Sequence, residues 1–177
     1  LSAALNRQVR LANDANCFAL SEAVDGAGKG KRVVFGVILG TGVGGGIAID
    51  GGVLAGPNAI AGEWGHNPLP WAEPSETPGP VCYCGKSGCI ETWLSGPALS
   101  RQFAQSTLRK LAAGEIVALA ASGDGQAHAT LAAYDRRLAK SLAHLINILD
   151  PDVIVLGGGL SNLDRLYTNV PPLLAGY

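Results

Sequence analysis

Methionine is absent from this 177-residue chain, aromatic residues make up 6% of it and charged residues 15%. The sparse charge is also balanced, 13 Lys and Arg against 14 Asp and Glu, for a net charge of -1. With no basic run, nothing in the electrostatics points to nucleic acid. A long unbroken apolar run is missing too. The longest candidate, Val33 to Ile49, holds six glycines and Thr41, a composition of strand and turn rather than of a spanning helix, so no membrane partner is expected. No secretory leader is visible at Leu1. Cysteine is scarce, four in all, but three lie between Cys82 and Cys89. That clustering argues for metal binding in a reducing cytoplasm rather than a disulfide framework. The 47% hydrophobic content suits one globular domain with a real core. A chain that starts without methionine and stops soon after Pro171-Pro172 reads as cut from a longer protein.

What is present starts with His66 and Cys82-x-Cys84-x4-Cys89. Three thiolates and one imidazole are a common closed set for structural zinc. The alternative is a Cys82–Cys89 disulfide. The segment between His66 and Cys82 carries five of the ten prolines and is expected to be a loop rather than a helix or central strand. A metal would close that loop and hold its neighbours Glu63 and Glu91.

The rest of the chain alternates strand and helix signals. Gln8 to Leu11 is expected to be a short strand after a helix end. Ala15 to Val24 reads as a helix capped by Asn13 or Asp14. Val33–Leu39, Ile47–Ile49 and Val53-Leu54 are expected to form an antiparallel meander, turning at Gly40 to Gly46 and at Asp50 to Gly52. Helices are expected over Glu91–Gln105, with a possible break at Ser95-Gly96, over Leu108–Leu119 and over Gly123–Asp150. In the last, Leu138, Leu142, Leu145 and Leu149 form one stripe, widened by Ala139, Ala143, Ile146 and Ile148, which predicts deep burial. Asp150-Pro151 stops it. Val153–Leu156 is a short buried strand, and Gly157-Gly158-Gly159 leads into a helix near Asn162. Strands on both sides of a long helix predict an α/β sheet with helices packed on it.

Several residues at the ends of these strands suit chemistry. Asp14 is placed to orient a hydroxyl and accept its proton, although capping alone would explain an acidic residue there. Gly40, Thr41, Gly42 and Gly44 are suited to bringing backbone N–H groups onto an anion. No Lys-Ser/Thr follows, so this is not a Walker A loop, and a strand follows where a dinucleotide fingerprint needs a helix. Gly157 and Gly158 offer a second close backbone approach. Glu63 and Glu91 are expected to accept hydrogen bonds from vicinal hydroxyls, as in a sugar, and the ring nitrogen of His66 not used by metal is expected to face the ligand. His128 and His144 carry no functional signal, and Cys17 is expected to be a small buried side chain.

These residues together resemble the ROK family of sugar kinases and regulators. Leu11-Ala12-Asn13-Asp14-Ala15-Asn16 is similar to its catalytic-aspartate segment, Gly40 to Gly46 to its second phosphate loop, Ala61 to His66 to its Glu-x-Gly-His sugar motif, and Cys82 to Glu91 to its zinc signature. Within the family, the stretches Glu63–Trp71 and Asn147–Gly159 look most like bacterial fructokinases. The resemblance implies an actin-like, ribonuclease-H-like ATPase fold and transfer of the ATP γ-phosphoryl group to a hexose, fructose first, with Mg2+, a structural Zn2+ and a homodimer. By position, Asp14 is the base; Asn13, Glu63, His66 and Glu91 contact sugar; Gly40, Thr41, Gly42 and Gly44 lie near phosphates and Gly157 and Gly158 near adenosine; His66, Cys82, Cys84 and Cys89 hold zinc. Glucokinase, N-acetylglucosamine kinase and sugar-responsive repressor are the alternatives within the family. The family's first phosphate motif, Asp-x-Gly-Gly-Thr, is absent, so by this resemblance residues 1–177 are expected to be the large lobe alone. Without the other half of the nucleotide cleft, the isolated chain is not expected to turn over.

Overall fold

A computed structural model describes residues 1–9 and 11–177 of the chain. Its centre is a four-stranded sheet in the order β3-β2-β1-β4. The strands are β1 (Val33–Leu39), β2 (Val43–Ile49), β3 (Gly52–Val53) and β4 (Val153–Gly157). The β1-β2-β3 meander is antiparallel, as its β-branched residues and turn signals predict, and β4 returns parallel to β1. The parallel pairing puts Ile38 beside Gly157, so the C-terminal ends of β1 and β4 emerge side by side.

The strand β2 starts at Val43 rather than at Ile47. Glycines 44 to 46, read as turn, are strand residues, and only Gly40 to Gly42 form the bend. Their small size follows from what lies on them: the helix α2 (Asp14–Val24) on one side and Trp64 on the other. α2 sets Ala15, Ala19 and Ala23, one small-residue stripe at i, i+4 and i+8, against the sheet. Asn13 is its N-cap, its side chain accepting from Asn16 N at 3.0 Å, which leaves Asp14 outside the cap position. Cys17 lies on the outer face and is exposed, contrary to its expected burial, because the sheet takes Ala15, Phe18, Ala19 and Ala23 from the opposite side of α2.

Other boundaries moved for local reasons. The short helix α1 (Ser2–Leu5) is wholly exposed. Gln8, Val9 and Leu11 form no strand, and Arg10, the other member of that expected strand, is outside the described residues. Glu91–Gln105 splits at Ser95 into α3 (Glu91–Leu94) and α4 (Gly96–Thr107), Ser95 capping α4. Leu108 ends α4 in a left-handed conformation, so the next helix, α5, begins only at Ala113 and runs to Ala121. The long helix α6 (Gly125–Leu149) is capped by Asp124, which accepts from the N–H groups of Gln126 and Ala127. Its leucine stripe is buried at Leu138 and Leu142 and half-buried against the core at Leu145 and Leu149, while Ile148, off that stripe, is 71% exposed. β4 is half-buried rather than buried, and a 3-10 turn at Gly159–Asn162 precedes α7 (Arg165–Leu174).

The proline-rich loop 67–81 has no regular core of its own. It is pinned to α6 by Glu76, whose two carboxylate oxygens each meet a cation at 2.6 Å, Arg137 Nε and Lys140 Nζ. Lys140 also donates to the Trp71 carbonyl, and the Arg137 guanidinium bonds Gln102 and lies 4.6 Å from the Trp93 ring centroid. Burial disfavours the charged form of Glu76, but hydrogen bonds from Lys140, the Glu73 N–H and Arg137 outweigh it and hold its carboxyl below the usual glutamate range. No motif in the sequence points to this network.

A candidate active-site cleft beside a metal clamp

Trp64 sets the geometry of the site from below. It is 2% exposed, meets Phe35 of β1 edge to face at 6.0 Å, and donates its indole N–H to the Gly44 carbonyl at 2.8 Å. This ties the 3-10 turn Trp64–His66 to β2. A side chain at Gly65 is excluded, since a Cβ there would sit 1.9 Å from the Val43 carbonyl oxygen. With Trp64 inward and Gly65 against the strand, the flanking Glu63 and His66 face outward into a cleft of about 410 Å³.

That cleft collects Asn13, Asp14, Glu63, His66 and Glu91, with Gly40, Thr41, Gly42 and Gly44 along one side. They come from separate segments of the chain. Glu91, at the first turn of α3, is held by the Val43 N–H, which donates to its Oε2 at 3.0 Å. That bond links the clamp to the glycine bend. Asp14 accepts from the Ala15 N–H at 2.9 Å. Gly157 and Gly158 do not line this cleft. Gly158 has φ of 84°, and a Cβ there would lie 2.5 Å from the Leu39 carbonyl oxygen, so strand packing by itself requires glycine. His128 is exposed, and His144 is half-buried with its ring 6.1 Å from that of Trp71.

The clamp forms one wall. Cys82, Cys84, Cys89 and His66 place their ligand atoms within 4.8 Å of one another. The Cys84 and Cys89 sulfurs are 3.6 Å apart, as are Cys82 Sγ and His66 Nδ1, and all cysteines are free, so no disulfide forms. A tetrahedral zinc with Zn–S bonds of about 2.3 Å spaces its sulfurs about 3.8 Å apart, which the set fits. Backbone bonds shape the knuckle, Cys82 N to Lys86 O at 2.8 Å and Gly85 N to Cys82 O at 3.0 Å, and the Lys86 N–H holds the Cys84 thiol below its ordinary range. Burial, followed by the hydrogen bonds of Cys84 and Cys82, pushes the Cys89 thiol up to about 12. A bound cation is what would convert it to a thiolate at neutral pH.

One cleft residue was missed in the sequence. Tyr83 lies between two of the clamp cysteines, is 82% exposed, and its hydroxyl is 2.9 Å from His66 Nε2 with the rings edge to face at 5.0 Å. The second nitrogen of His66 is therefore paired rather than free for a ligand. The charge of Glu91, then burial, Cys82 and Glu63, push the Tyr83 phenol up, so it stays protonated. Its position inside Cys-x-Cys was the only available signal.

The fold places a small, polar-lined cleft beside a glycine bend at the C-terminal end of β1. The chain belongs to the ROK family, which matches it over residues 1–177. It is similar to the N-acetyl-D-glucosamine kinase of Photobacterium profundum, 44% identical over 179 residues that take in 99% of this chain and 59% of that protein. Among solved structures it is similar to the ROK hexokinase from Thermus thermophilus, at 34% identity and a TM-score of 0.88 over 100% of this chain and 58% of that one. It is also similar to a ROK family glucokinase from Streptomyces griseus in complex with glucose and AMPPNP, at 30% identity and a TM-score of 0.80 over 98% and 61%. The architecture is accordingly the actin-like, ribonuclease-H-like ATPase fold. The chain spans less than two thirds of the length of these relatives. None of the three is named for fructose, so the fructose expectation finds no support in them. Among the described residues, no helix is long and apolar enough to cross a membrane.

Proposed function

We propose that this chain is the large lobe of an ATP-dependent hexose kinase. The observation that carries the proposal is the convergence of Asp14, Asn13, Glu63, Glu91 and His66 on one cleft beside the Gly40–Gly42 bend. Such a cleft offers carboxylates to neutral hydroxyls and backbone N–H groups to phosphate. In this reading Asn13, Glu63 and Glu91 bind the sugar, and Asp14 aligns the attacking hydroxyl. A carboxylate is far too weak a base to remove a sugar hydroxyl proton in advance. Asp14 instead accepts it late, as the oxygen bonds to phosphorus and the ADP oxygen leaves. The loose transition state makes alignment and charge stabilisation the main contributions. Mg2+ accompanies the nucleotide and neutralises phosphate charge. Zinc held by His66, Cys82, Cys84 and Cys89 would be structural, since four protein ligands would leave no open position for water.

Fructose is the proposed acceptor, on the resemblance of Glu63–Trp71 and Asn147–Gly159 to fructokinases. An N-acetylglucosamine kinase is the second reading, favoured by the name of the Photobacterium relative. The test is ADP release by the intact two-lobed protein with ATP, Mg2+ and fructose, mannose, glucose or N-acetylglucosamine. Fructose-dependent turnover that disappears in Asp14→Asn is the expected result. Preference for N-acetylglucosamine selects the second reading. No turnover with any sugar by folded, zinc-loaded protein refutes the kinase and favours a regulator of the same family.

A further inference from the structure

Tyr83 has a backbone it cannot withdraw. Its neighbours on both sides, Cys82 and Cys84, are clamp ligands, and Cys82 N is bonded to Lys86 O at 2.8 Å. Only side-chain rotation is left to it. It is also the only phenyl-bearing side chain among the described residues lining the cleft. His66 Nδ1 faces the Cys82 thiol and its Nε2 lies 2.9 Å from the Tyr83 oxygen; a metal on Nδ1 would leave the ring proton on Nε2, to be donated to that oxygen. The phenol proton is then free to point at a ligand oxygen. A bulky ring, 82% exposed and so without core contacts to stabilise, is held beside the histidine by this bond and by the knuckle.

We propose that Tyr83 is a specificity-determining residue of the sugar site: its ring walls off the space beside His66, admitting a hydroxyl-bearing hexose and rejecting an N-acetylhexosamine. This rests on the hexose-kinase reading above. The physical basis is the asymmetry of rejection. An acetamido group is larger than a hydroxyl by several heavy atoms, so it must either displace the ring and break the His66 bond or stay out. A donor facing the cleft also favours a substrate that presents an oxygen there, because a hydroxyl stripped of water by a bound sugar and left unpaired is unfavourable.

The test uses the intact kinase and compares kcat and KM for fructose and N-acetylglucosamine in wild type, Tyr83→Phe and Tyr83→Gly. Zinc content and Tm establish that each variant is folded, and little change is expected in either because the side chain is exposed. Tyr83→Gly is expected to raise kcat/KM for N-acetylglucosamine relative to fructose by roughly tenfold or more. Tyr83→Phe keeps the wall and loses the hydroxyl. It is expected to raise KM for fructose severalfold, leave kcat nearly unchanged and still exclude the N-acetyl sugar. An unchanged fructose-to-N-acetylglucosamine ratio in Tyr83→Gly overturns the proposal while leaving the kinase reading intact. So does a wild-type enzyme that already prefers N-acetylglucosamine. Absence of phosphorylation of any hexose by wild type refutes both.

Discussion

Replacing Glu76 with glutamine should destabilise the protein far more than an isosteric exchange in a loop normally does. Glu76 is 7% exposed, and its partner Lys140 has a side chain 5% exposed. Glutamine keeps the shape but removes the anion shared by Lys140 and Arg137. Lys140 would keep one neutral partner, the Trp71 carbonyl at 3.1 Å, while Arg137 would keep Gln102 and the face of Trp93. Breaking a buried pair on one side costs about 3–5 kcal/mol, because the remaining charge stays buried and unbalanced. Against a total stability of about 5–15 kcal/mol that is a large share. For a domain of this size it corresponds to a Tm lowered by roughly 6–20 °C. Urea and thermal melts of the intact protein measure it. The double variant Glu76→Leu with Lys140→Met removes two of the three charges, leaving Arg137 with Gln102 and Trp93, and should recover part of the loss. There is also a pH signature. The folded carboxyl is held below its ordinary value of 4.5, so its contribution is present above that pH and is lost as pH falls through the lowered folded value. Wild type should therefore show an acid-side loss of stability that Glu76→Gln lacks at this site. A variant within about 1 kcal/mol of wild type at neutral pH, or one with an unchanged acid slope, refutes the argument that this network anchors the loop.

Three further outcomes are expected. Asp14→Asn should lower kcat by roughly 10²–10⁴ with sugar KM largely kept; near-normal turnover removes Asp14 from the proton-accepting role. Stripping the metal with a chelator, or Cys89→Ser, should loosen the knuckle, lower Tm and weaken sugar binding, because Glu91 lies two residues beyond the last ligand. Unchanged melting and affinity in verified metal-free protein would falsify a structural metal. Gly65→Ala should be severely destabilising, since its Cβ would overlap the Val43 carbonyl and push the Trp64–His66 turn off β2. A soluble variant with wild-type Tm refutes that packing.

The metal clamp, the meander and the long helix were legible in the sequence because each is written in local spacing: Cys-x-Cys-x4-Cys, β-branched runs between glycine turns, leucines at helical intervals. Asn13, Asp14, Glu63, His66 and Glu91, singled out in the sequence, do meet in one cleft, whereas Gly157 and Gly158 lie outside it. Glycines 44 to 46 misled because a strand glycine required by an overlying helix and a turn glycine look alike in one dimension. Cys17 and Ile148 misled because an apolar side chain does not say which face of its helix is covered. The Glu76 network left no signal, as its partners lie more than sixty residues away on α6. Which nitrogen of His66 is paired, that Tyr83 takes it, and that Asp14, Glu63 and Glu91 share one cleft were decided only in three dimensions. The order of residues sets local conformation through sterics and capping. Contacts between distant segments depend on how α2 and the clamp pack around one sheet, and only the tertiary structure holds that.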